Sequence, residues 1–441
     1  MILITISCKE STKEKPNDTD DVKTNPNIIL AAEVQPKLNG IDGNCVAPAD
    51  WFTGNMKAPD PSNFPQGNDV TNCDFHLVSW QYFLWLTEEV DGKLRFESYY
   101  TNKAIYPDSK DDQYHILDIV EQAQSKGMLV DQNNRAVYSS ILINDTYRNW
   151  ILKNKLYDRE AYDAFAATNN FPVGSVSLKT AWKIVDPSDD VSKLYTTKRD
   201  IELLDVVDGH PRIPKDAIQV QKDVEVALVG LHIAVVVEGH PEMIWATFEY
   251  DDNAPDYNPD QNNDSIVSDK KWLFYKANTL AKNSNENNAT SLAFVNQADQ
   301  TIEPVTEVAR QFKNGGGSST NQGNIEHLNG NAKSQLKGNN SIWQNYFEVG
   351  AVWFNTTIDT LKPGWSPNND ASMVTGSLKL SNSTIETFTQ RFQNENQCFS
   401  CHNTLGELGT RIMPAKNFNL SHVLQKNYQE GREKPISNQS N

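Results

Sequence analysis

Cys398, Cys401 and His402 sit in the stretch 393–418, which reads QNENQCFSCHNTLGELGTRIMPAKNF. The pattern Cys-x-x-Cys-His is the one on which haem is attached covalently: each thiol adds to a vinyl group, and the adjacent histidine lies under the iron as its proximal ligand. The two-residue gap lets a single helical turn present both sulfurs to one porphyrin edge. With five cysteines and eight histidines in 441 residues, the pattern is expected by chance roughly 0.001 times per sequence. The residues therefore point to one covalent haem c on Cys398 and Cys401, with His402 as an iron ligand.

Two rival chemistries use the same residue types. A structural zinc site takes a second close pair of ligands, whereas Cys45 and Cys73 stand 28 apart and no His-x-x-x-His occurs elsewhere. A thioredoxin-like redox pair needs a βαβ setting, which this region does not suggest.

The remaining cysteines bear on compartment. The apolar start MILITISC ends in Ser7-Cys8 and gives way to the polar KESTKEKPNDTDDVKTNPN. A small residue before a cysteine, followed by a polar tether, resembles the lipoprotein-processing pattern of bacteria, and implies lipidation at Cys8. The start lacks a basic leading region, and Thr5 stands where leucine is usual. A periplasmic or cell-surface location, held by a lipid anchor, is the expectation. Such an oxidising compartment permits a disulfide between Cys45 and Cys73; two separate core thiols are the plainer alternative.

CFSCH with the segment before it resembles the c-type cytochrome superfamily, over about the last sixty residues. In small members the motif follows an amino-terminal helix, and a methionine often followed by proline supplies the second axial ligand. Met413-Pro414 in RIMPA matches that ligand, but it lies only eleven residues after His402, closer than the family places it. SWQYFLWL and NSTIETFTQ also resemble the front part of large uncharacterised bacterial monohaem proteins, which brings no known activity. Besides Met413, the sixth position could be filled by His422, on a helix that folds back, or by His76, reaching across from the large domain. It could also be open. His232, within an apolar strand, reads as a core histidine.

The elements that must position these residues are legible in part. Leu77, Trp80, Leu84 and Trp85 recur at helical spacing, with Asp74 available as N-cap, and predict a buried helix over 74–87. Val176, Leu178, Thr180, Trp182 and Ile184 alternate with Ser177, Lys179 and Lys183, the period of a half-buried strand. VEVALVGLHIAVVV and MIWATFEYDD read as an antiparallel pair around a Glu238-Gly239-His240-Pro241 turn, and YFEVGAVWF as a further strand. The stretches 186–205 and 304–338 read as short helices and loops, and NGGGSSTNQG as a flexible connection without the Gly-Lys-Ser/Thr of a phosphate loop. Ser383 and Glu386 fit a capping box, with Ile385, Phe388 and Phe392 on one face of a helix leading into Cys398. The expected architecture is α+β: an antiparallel sheet covered by helices in 41–380, a signal remnant and tether in 1–40, and a short helical haem c segment in 381–441.

Net charge of −17 argues against a nucleic-acid binder, which clusters Lys and Arg. No internal run is long enough to cross a bilayer. The acidic stretch 256–264 has calcium-loop offsets, but Gln261 and Val267 replace the Gly and bidentate Glu such a loop requires. Three functions remain. One is electron transfer to a redox partner protein. The second is a haem enzyme, peroxidase-like or oxidase-like, with a small-molecule substrate pocket in the large domain. The third is a non-redox binding lipoprotein braced by haem or metal.

Overall fold

The β-branched and aromatic runs pair as one nine-stranded sheet. The computed structural model describes residues 40–54, 56–109, 116–123, 125–258, 260, 262–355, 361–391, 398–408 and 411–430. Its sheet strands are β1 (Tyr100–Thr101), β2 (Ile116–Leu117), β3 (Val137–Ile143), β4 (Val176–Ile184), β5 (Thr196–Glu202), β6 (Val220–Val237), β7 (His240–Tyr250), β8 (Tyr346–Phe354) and β9 (Val374–Gly376). They lie in the order β9-β8-β7-β6-β4-β3-β1, with β5 beside the first half of β6 and β2 beside β5. Every pairing is antiparallel except β2 with β5. Six helices accompany the sheet among the described residues: α1 (Asn72–Leu86), α2 (Asp145–Asn154), α3 (Arg159–Ala164), α4 (Ser319–Gly338), α5 (Cys398–Cys401) and α6 (His422–Glu430). The chain is α+β with a large antiparallel sheet, as its patterning predicts.

The alternation in each strand divides the sheet into two faces. On one, Trp182, Ile233, Phe248 and Trp353 are fully buried, and α1 lies over Phe248 and Trp353. Phe83 of α1 stacks on Phe248 at 4.3 Å, and Phe75 on Trp353 at 4.2 Å. Burying each such ring contributes about 1.5–3 kcal/mol. Helix α1 starts two residues before the expected Asp74, because Thr71 is the N-cap and Asp74 sits at the third position, accepting from the Thr71 amide at 2.8 Å. Cys45 and Cys73 form a disulfide that ties the preceding arm to this helix.

Three expectations give way to tertiary structure. The stretch 186–205 holds strand β5, paired to β6 and β2. Residues 319–323 of the supposed flexible connection open α4, whose N-cap Ser318 accepts from the Asn321 amide at 3.1 Å. Three glycines weaken its helical signal, but Ile325, Leu328, Ala332 and Leu336 form a buried stripe that holds it. The helix expected from Ser383 is absent among the described residues, which run as bends into a single turn at Thr389–Arg391. The Glu249 carboxylate takes both the amide and the hydroxyl of Ser383, at 2.5 and 2.6 Å. Gln122 bonds the Thr384 carbonyl and the Thr387 amide. These side chains satisfy backbone groups that a helix would have used.

The second sheet face receives the carboxy-terminal segments. Gly230 on β6 is where one of them touches down, since a Cβ there would come within 2.2 Å of the Thr384 hydroxyl. The described residues all belong to one compact unit, Pro36–Asn441. No helix among them is long and apolar enough to cross a membrane.

Candidate functional site

Helix α5 is the single turn Cys398–Cys401, closed by the His402 amide on the Cys398 carbonyl at 2.8 Å. Residues three apart in a turn share a face, and the residue between them points elsewhere. Phe399 is fully buried against Phe354 and Trp365, at ring separations of 4.9 and 5.6 Å. It anchors the turn while Cys398 and Cys401 stay half-buried thiols outside any disulfide.

His402 is fixed from three sides. Its Nδ1 donates to the Leu420 carbonyl at 2.7 Å. Its ring packs over Trp245 of β7 at 4.1 Å and stacks on His422 at 4.0 Å. His422 in turn directs Nε2 to the Cys401 carbonyl at 3.1 Å. A proton held on Nδ1 by a carbonyl leaves Nε2 with the lone pair, the tautomer a metal-binding histidine requires. Among the described residues Nε2 of His402 has no hydrogen-bond partner. Leu420 is held in place by its neighbours: Asn417 bonds the Ala167 carbonyl at 2.8 Å and Asn170 at 2.8 Å, beyond α3.

Beneath lies the second sheet face. One cross-strand row contains Ile141, Lys179, His232, Thr247 and Gly350, and the next contains Ile143, Ser177, Ala234, Trp245 and Val352. Thr247, Ala234 and Gly350 are buried, but Ile141, Ser177, Lys179, His232 and Trp245 are only half-buried in the middle of the sheet. The covering layer therefore stands off the floor at this patch. Glu386 reaches it from above, 3.5 Å from Nε2 of His232.

Electrostatics favour neutral donors here. Burial, then Glu386 and Cys401, push the Cys398 thiol far above its ordinary value. Burial, then His422, drive His402 well below the usual histidine range. Burial lowers His422, His232 and Lys179 as well, with Glu386 opposing in each case. A reactive redox cysteine needs a depressed pKa, so the thiol-redox reading finds no support at Cys398. Among the described residues no three His, Cys, Asp or Glu side chains converge on a metal position. A porphyrin asks for two thiols and one imidazole lone pair.

The remaining predicted residues are dispersed. Met413 is buried in an apolar cluster with Met243, Phe418 and Leu424 on the second face. His422 is nearby, but its ring lies flat on His402 and its Nε2 is engaged, so it forms a wall beside the His402 ring rather than facing it. His76 is on the other face of the sheet, fully buried between Glu348 and Asn321 at 2.8 and 2.9 Å, with both ring nitrogens used. Cys8 lies outside the described residues. Sequence reading gives Lys179, Trp245 and Glu386 no role at this site and takes His232 for a core histidine. The period-two pattern does place Lys179 on the face opposite the apolar core, whereas His232 sits inside an apolar run. Comparisons with protein-family models, curated proteins and solved structures find no match to this chain.

Proposed function

We propose that the chain is a monohaem c protein that transfers electrons outside the cytoplasm, anchored through lipid on Cys8. Cys398 and Cys401 would hold the haem and His402 would ligate its iron. The observation that carries the reading is the Nδ1 bond from His402 to Leu420, which readies Nε2 as a ligand directly after two thiols on one turn, above a half-buried patch of sheet. A haem so held supplies a one-electron couple whose potential is tuned by its second axial ligand and surroundings. The chain's own residues orient the imidazole through Leu420, Trp245 and His422, and wall off water through Phe399 and its aromatic neighbours.

The test is haem retention through acid–acetone extraction, on protein made with an export signal and a haem c maturation system. Haem should stay with the polypeptide, and changing Cys398 and Cys401 to Ala should abolish attachment. Haem that extracts freely, or zinc found in its place, refutes the reading.

A further inference from the structure

We infer that His232 is the second axial ligand, positioned by Glu386, so that the haem is held between two histidines; this rests on the haem reading above. His232 and Trp245 are diagonal neighbours on β6 and β7, because His232 pairs with Thr247 and Trp245 with Ala234. Such neighbours are roughly 7–8 Å apart on one sheet face. His402 packs over Trp245, so the two imidazoles stand beside the same patch, one on the floor and one on the covering turn.

The environment of His232 is that of a ligand rather than of a core histidine. Its side chain keeps 18% of its surface exposed inside the sheet. Nε2 is buried without a hydrogen bond, and its nearest acidic group is Glu386 at 3.5 Å. A proton on Nε2 directed at that carboxylate leaves Nδ1 with the lone pair. Metal-bound histidines commonly pair their other nitrogen with a carboxylate in this way, which fixes the ring and raises its basicity. Glu386 is itself steadied by the Asn382 side chain. Met413 differs on each point. It is 3% exposed and packed among apolar side chains, where a thioether serves as filler.

The assignment is tested by spectroscopy on the mature protein. Wild type should be low-spin in the ferric state, with the near-infrared and paramagnetic-resonance signature of two imidazoles and without the methionine-to-iron charge-transfer band. H232A should keep covalent haem but turn high-spin and bind carbon monoxide at least tenfold faster, and added imidazole should restore the low-spin spectrum. E386Q should stay low-spin and shift the reduction potential upward, since the ligand becomes less basic. M413A should leave the ferric spectrum as in wild type. A wild-type methionine band, a high-spin wild type, or an H232A spectrum unchanged from wild type each overturns the inference while covalent haem stands. If H232A fails to fold, the wild-type spectrum alone decides between His and Met. Absence of covalent haem removes the reading and the inference together.

Discussion

At the residue scale, the best-defined polar contact lies away from the candidate site. His76 and Glu348 are both fully buried, 2.8 Å apart. Burial alone lowers His76, but the charge and hydrogen bond of Glu348 outweigh it and hold His76 above its ordinary value. Burial raises Glu348, partly offset by His76. Both shifts have the same sign: the folded pair keeps a proton that the unfolded chain gives up sooner. A group with a raised folded pKa contributes stability that is complete below its unfolded pKa and is lost as pH rises towards the folded one. Stability should therefore decline as pH rises, first above roughly 4.3 as the unfolded glutamate loses its proton and again above roughly 6.5 as the unfolded histidine does. Glu348→Gln should flatten that slope and cost about 1.5–3 kcal/mol, the worth of a hydrogen bond to a charged group. Urea melts of both proteins from acid to alkaline pH provide the check, and a slope equally steep in Glu348→Gln would refute the assignment.

At the element scale, Glu249 on β7 clamps the segment that carries Glu386 over the sheet. Its carboxylate meets Arg310 at 2.8 Å and both donors of Ser383. Removing one member of a buried charge pair costs about 3–5 kcal/mol, and Arg310 retains Asp256 at 2.9 Å, so Glu249→Gln should fall near 3 kcal/mol. Amide exchange at 383–387 should accelerate more than at α1; uniform acceleration would mean that the clamp is not local. This segment also shows where sequence reading fails. Ser383, Glu386 and the spacing of Ile385 with Phe388 satisfy a helical template, but a template carries no term for Glu249, 134 residues earlier. Where partners are local or periodic, the reading was sound: Val176–Ile184 and the β6–β7 hairpin alternate as their neighbours require. The hairpin loop is tighter than expected, because Val237 pairs with His240 and leaves only Glu238 and Gly239 between strands, with Gly239 at φ 78°. The motif was legible because it is contiguous. Its floor was not, because Lys179, His232 and Trp245 meet only through strand register.

At the scale of the whole molecule, the Cys45–Cys73 disulfide is the covalent tie between the amino-terminal arm and the core face of the sheet. Closing a loop of 28 residues removes about 3–4 kcal/mol of unfolded-state entropy. The Cys45→Ala, Cys73→Ala double variant should lose about that much by denaturant titration while keeping the spectrum of the proposed haem site, which lies on the opposite face. A changed spectrum would mean that the two faces are energetically coupled through the sheet.

The bond from His402 to Leu420 spans 18 residues, and it also sets an order of events during synthesis. The strands of the floor precede the motif in the chain, so they can be made and paired before Cys398 exists. At about 5–20 residues per second, the Leu420 carbonyl follows His402 by roughly one to four seconds. In that interval the growing chain carries both thiols and the imidazole without the acceptor that decides which ring nitrogen keeps the proton. A polypeptide stopped between the two would display the complete motif and still lack a fixed tautomer at His402.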